Sequence, residues 1–131
     1  MTISSEAAYF HDFVRRLRET DVADLRIKFD ADSDELLLLL SRERIPAVSV
    51  PVIADFSVRM TPDRSRPIGL MIENTLSRAV YRHPWIIDLF DVAETGDLPD
   101  ATIMRIRRER ARREAVTLEH AWADQLALIA S

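Results

Sequence analysis

Three groups of side chains in this 131-residue chain have the types and spacing to do chemistry. Asp30, Asp32 and Asp34 alternate as the first carboxylates of a calcium loop do. Such a loop needs glycine at its sixth position and glutamate at its twelfth. Glu35 and Ser41 stand there instead, so a solvated hairpin turn is expected and no metal. Arg78 and His83 pair a fixed cation with a titratable base, the minimum for holding a phosphodiester and moving a proton. Arg113 and His120 repeat the pairing at wider spacing, and two hits in an arginine-rich chain show how readily the pattern arises. The third group is the arginine cluster Arg105, Arg107, Arg108, Arg110, Arg112 and Arg113, answered locally only by Glu109 and Glu114.

Other chemistry is excluded by composition. The chain has no cysteine, hence no disulfide framework, zinc-thiolate site or thiol nucleophile, and a reducing compartment is expected. Gly69 and Gly96 are the only glycines, too few for a backbone phosphate cradle, and no serine lies in a nucleophile-elbow context. His11, beside Tyr9 and Phe10, has no second ligand at metal spacing. No catalytic residue, cofactor or metal is therefore assigned. The net charge of −4 argues against wholesale nucleic-acid binding, which leaves any polyanion contact local, at Arg105, Arg108 and Arg112. A solvated helix face is the first expectation for these three.

The elements that must position these groups follow from periodicity. Phe10, Phe13, Val14 and Leu17 recur at helical spacing behind Ser4 and Ser5, which predicts a helix over 5–19. Leu25, Ile27 and Phe29 then alternate with polar residues, as in a half-buried strand. Leu36 to Leu40 is apolar on both faces, and so suits a central or covered strand. Val48 to Val52 alternates again, but Pro51 cannot donate to a ladder and sends that strand to an edge or a bulge. Phe56 to Met60 and Ile68 to Ile72 complete an expected four- to five-stranded antiparallel meander. Two short helices follow, divided at Pro84, and then one long helix over 100–130. At about 1.5 Å per residue that helix would overhang its domain. Its stripe of Ala111, Ala115, Leu118, Trp122, Leu126 and Ile129 would then need cover, from a partner or from its own sheet.

Phe29, Asp30, Asp34, Leu36 and Leu38, with Gly69, Leu70 and Ile72, resemble the small bacterial family catalogued as domain of unknown function 2283, over roughly residues 25–73. Leu37 and Met71 replace the Tyr and Glu of that pattern, so any polar role there is absent. The resemblance implies a small sheet-forming domain in self-associating or regulatory roles and supplies no catalytic residues. The spacing of Arg78 and His83 is similar to that of the helical HEPN ribonucleases, but the strands upstream contradict an all-helical fold.

The expectation is therefore a single α+β domain over 1–131, with its sheet core at 25–73. Its expected function is that of a non-enzymatic interaction module, a homo-oligomer and most simply a dimer, with a protein partner as a further possibility. Leu37 and Leu39 and the C-terminal stripe form the interface. A nucleic-acid-binding regulator using the arginine helix is the alternative, and a ribonuclease the weaker one. Met1 to Ala8 has no basic region leading into an apolar core, and no stretch approaches the ~20 apolar residues of a membrane span, so a cytoplasmic chain without membrane attachment is expected.

Overall fold

A computed structural model describes residues 5–115 and 122–130. Helix α1 (Ser5–Glu19) is followed by five strands, β1 (Arg26–Asp30), β2 (Glu35–Leu39), β3 (Val48–Ile53), β4 (Phe56–Met60) and β5 (Pro67–Ile72). A π-helical turn, Thr75–Ala79, runs into α2 (Val80–Arg82), and a 3₁₀ stretch covers Pro84–Asp91. Helices α3 (Asp100–Ala115) and α4 (Trp122–Ala130) complete the α+β fold.

All five strands pair antiparallel, in the order β1-β2-β5-β4-β3, which departs from a sequential meander. Pro51 supplies a reason. A sequential order would bury β3 at the centre, where its missing N–H would break a ladder, and would leave apolar β5 at the edge. The observed order puts β3 outermost and seats β5, buried at five of its six positions, between β2 and β4. The link over 40–47 makes this possible by crossing the end of the sheet, while β3–β4 and β4–β5 close as hairpins. Gly69 is required by the same crowding. A Cβ there would lie 2.8 Å from Leu39 Cδ2 and 2.9 Å from the Leu38 carbonyl oxygen.

One face of the sheet is closed by α1 and the helical segments. Ile27, Phe29, Leu36, Leu38, Val58, Leu70 and Ile72 meet Phe10, Phe13, Leu17, Ile86 and Leu89 in one core, where Phe10 and Phe56 rings lie 6.2 Å apart. At about 1.5–3 kcal/mol per fully buried large side chain, this face supplies most of the stabilisation.

The C-terminal region corrects the expected overhang. Of the helix expected over 100–130, the structure describes helix at Asp100–Ala115 and Trp122–Ala130, and 116–121 lie outside the described residues. Helix α4 packs on α1 and on the Pro84–Asp91 segment, and Leu126 is 0% exposed. Part of the stripe is covered by the chain itself.

Candidate functional site

The aspartate trio separates into a turn and a cap. Asp30 Oδ1 accepts the Asp32 N–H at 3.0 Å, closing a local turn. Asp34, at φ 55°, reaches across to the start of the π-helical turn, where its carboxylate accepts the N–H groups of Leu76 at 2.8 Å and Ser77 at 3.0 Å. Its own carbonyl accepts Thr75 N–H at 2.9 Å. These bonds satisfy donors that a helix start leaves free, at the end where a carboxylate is electrostatically favoured. Among the described residues, no group of three or more His, Cys, Asp or Glu side chains is placed to hold a metal ion.

Arg78 is committed to a partner that spacing did not reveal. Asp55, at φ 72° in the β3–β4 turn, has a side chain only 2% exposed. Arg78 Nε lies 3.1 and 3.0 Å from its two oxygens, Arg78 Nη2 also donates to Oδ1, and Asn74 Nδ2 adds a bond at 3.1 Å. The Arg78 guanidinium holds the Asp55 carboxyl below its ordinary pKa, burial opposes, and Asn74 assists. His83 instead sits half-buried with its ring 5.3 Å from that of Phe56 and 6.1 Å from that of Trp85. Burial and then Arg82 lower its pKa, against a smaller opposing pull from Asp55. Arg78 thus ties a hairpin turn to the helical segment, and His83 lies among aromatic rings. His120, the second half of the Arg113 pairing, lies outside the described residues.

The arginine cluster divides by partner. Arg113 is 8% exposed and grips Asp88 Oδ2 through Nε at 3.3 Å and Nη2 at 3.2 Å, while Arg110 pairs with Asp91 at 2.8 Å. These two fasten α3 to the 3₁₀ stretch. Arg105, Arg108 and Arg112 follow steps of three and four and so share another face. Arg105 Nη2 donates to the Tyr81 hydroxyl at 3.0 Å. The Arg105 and Arg112 guanidinium carbons lie 5.8 and 5.2 Å from the Tyr81 ring centroid, within cation–π range. Arg112 also pairs with buried Glu109 at 3.2 Å, whereas exposed Arg108 has no ion-pair partner among the described residues. Tyr81 itself is 47% exposed. Sequence reasoning missed it, although it stands outside the buried Leu76, Ala79 and Val80 face of its own segment, which is the signal that marks an outward ring.

The expected C-terminal interface is scattered. Leu126 is enclosed by its own domain, so it has no surface to offer a partner. Ala111 is exposed, away from the buried Ile106, Glu109 and Arg113 face of α3, because the ion pair to Asp88 sets that helix's rotation. Trp122 and Ile129 are half-buried against the core. Leu118 and the Ala115 side chain lie outside the described part.

Leu37 and Leu39 come together on the face of the sheet opposite the core, both half-buried. Register lays this face out in rows: Asp30 and Glu35 in line; Lys28, Leu37, Met71 and Ser57 next; then Arg26, Leu39, Gly69, Arg59 and Ser49. Beside the basic row, a cleft of about 200 Å³ opens under the crossing link, where Arg44 and Ile45 approach Leu39 and Arg59. Both sheet edges are blunted. Glu94 bonds the outer side of β1, accepting Phe29 N–H at 2.9 Å and donating to the Ile27 carbonyl at 2.7 Å, and β3 carries Pro51.

No family model matches the chain, and neither a curated protein nor a solved structure matches it. No helix among the described residues is long and apolar enough to cross a membrane.

Proposed function

We propose that this chain is a small non-enzymatic interaction module that self-associates through the open face of its sheet. The observation that carries this reading is the self-complementarity of the rows. A two-fold axis lying along the middle row would place Leu37 and Met71 of one copy on those of the other. It would also set Asp30 and Glu35 opposite the basic row of Arg26 and Arg59, with the exposed Lys28 at the outer end of the middle row. Two twisted sheets pack face to face at about 10 Å, so such a pair is an ordinary sandwich. An isologous contact closes at two copies, which makes the dimer the expected state. The blunted edges favour face over edge as the contact.

Relative to the sequence expectation, which joined Leu37 and Leu39 with the C-terminal stripe, this reading keeps the sheet. Nuclease chemistry is not carried forward, since Arg78 is held by Asp55 and His83 lies among aromatic rings. The absence of cysteine supports a cytoplasmic setting.

Light scattering across micromolar concentrations tests the reading. The wild-type chain should have twice its formula mass, and Leu37→Glu with Met71→Glu should give a folded monomer. A monomeric wild type would overturn it. A dimer that survives both changes but yields to Trp122→Glu would return the interface to the C-terminal helix.

A further inference from the structure

Arg110 and Arg113 of α3 are tied to Asp91 and Asp88, whereas Arg105 and Arg112 lie against the exposed Tyr81 ring, with Arg108 between them on the same helix face. From this juxtaposition we infer that Tyr81 with Arg105, Arg108 and Arg112 forms a binding surface for single-stranded nucleic acid. The acidic partners of the cluster lie elsewhere: Asp88 and Asp91 are taken by Arg113 and Arg110. Among the described residues, Glu109 alone forms an ion pair on this face, and it is 5% exposed beneath Arg112. What faces solvent here is cationic in a chain whose net charge is −4, so attraction of a polyanion is local.

Geometry distinguishes this patch from an ordinary charged helix face. The seven steps from Arg105 to Arg112 rise about 10 Å. At the ~3.4 Å spacing of a stacked strand, that length covers about three phosphates. Tyr81 adds a ring at the same place, already held by the Arg105 hydrogen bond and so ordered before any ligand arrives. Sequence-tolerant single-strand binding combines these two components, a cationic track and an aromatic platform on which a base stacks. Beside them a cleft of about 380 Å³ opens between Arg105, Arg108, Ala101, Phe29 and Leu76, giving a second base somewhere to lodge. Asp34 borders the cleft, but its carboxylate is bonded to the Leu76 and Ser77 amides.

Fluorescence anisotropy with labelled oligothymidylate and oligouridylate tests the assignment on the full chain. Three phosphate contacts give a salt slope near −2, a loss of about 15-fold in affinity between about 50 and 200 mM salt. Arg108→Glu with Arg112→Glu should abolish binding. Tyr81→Ala should weaken it about tenfold, and Tyr81→Phe should retain most of it, since the stacking face remains. Far-UV circular dichroism and solution mass of each variant should match the wild type. Three results would overturn the assignment: no binding at low salt, equal affinity of wild type and Tyr81→Ala, or stronger binding of polyglutamate than of either oligonucleotide. The last would mark the patch as a dock for an acidic protein segment.

Discussion

The two faces of the sheet are made from the same five strands and differ in what lies over them. The closed face carries Leu36, Leu38, Val58, Leu70 and Ile72 under α1 and the helical segments, with every one of these side chains almost fully enclosed. The open face carries half-buried Leu37 and Met71 between the acidic and basic rows, and half-buried Leu39 within the basic one. In β2 the two sets are consecutive leucines. Residue type alone cannot separate them, so the difference between the enclosed set and the open one is of position only.

The sharpest way to break that contrast is to empty the closed side. Leu126→Ala, at the point where α4 closes the core, should cost about 2–5 kcal/mol in denaturant unfolding, because a cavity remains that surrounding groups fill only in part. If the cost proved below about 0.5 kcal/mol, the range of surface changes, α4 would not belong to the core.

Gly69→Ala comes next in size, since it loads the open face from within. The new methyl must displace Leu39 or the Leu38 carbonyl, and overpacking of this kind costs about 1–3 kcal/mol. Shortening Leu39 to alanine in the same chain should recover part of that loss, but only the part due to the side chain. Full recovery would mean that the backbone contact does not matter.

Leu37→Glu should separate the faces most cleanly. In the monomer its effect on unfolding should be small, whereas solution mass should fall by half, because a carboxylate would then lie on the middle row of both copies. A dimer unaffected by this change would remove Leu37 from the interface.

The smallest expected effect is electrostatic and lies off both faces. Asp63 accepts the Thr61 hydroxyl at 2.7 Å and the Ser65 hydroxyl and N–H at 2.7 and 3.1 Å, which hold its pKa down to about 2 and order the β4–β5 loop. Asp55 is depressed in the same direction by Arg78. A carboxylate whose folded pKa is lowered stabilises above its unfolded value of 3.8 and loses that contribution as pH falls through the folded value. Stability should therefore decline between about pH 4 and 2, and Asp63→Asn should flatten part of that slope in acid unfolding monitored by circular dichroism. A slope identical to wild type would show that the loop's bonds do not persist in solution.

Much of this molecule follows from sequence alone, because period is a local property. Alternation at Ile27 and Phe29, the three-and-four spacing of Phe10, Phe13, Val14 and Leu17, and the stop at Pro84 each depend on a few neighbouring residues. The α+β class and all five strands were legible for that reason. Pro51 even marked the edge strand, since a missing N–H is a property of one residue. Strand order was decided by tertiary structure, through the choice of β2 to pair with β5 once the 40–47 link crossed the sheet end. So was the fate of each charged side chain. Asp34 caps a segment that begins some forty residues later, Asp55 holds Arg78, and Arg113 turns inward to Asp88, whereas Arg108 stays free of ion pairs among the described residues. An arginine has the same composition whether it is paired or available, and only folding brings up the carboxylate that decides between them. Tyr81 belongs to the same class, for its ring gains meaning only when α3 lays two guanidinium groups against it.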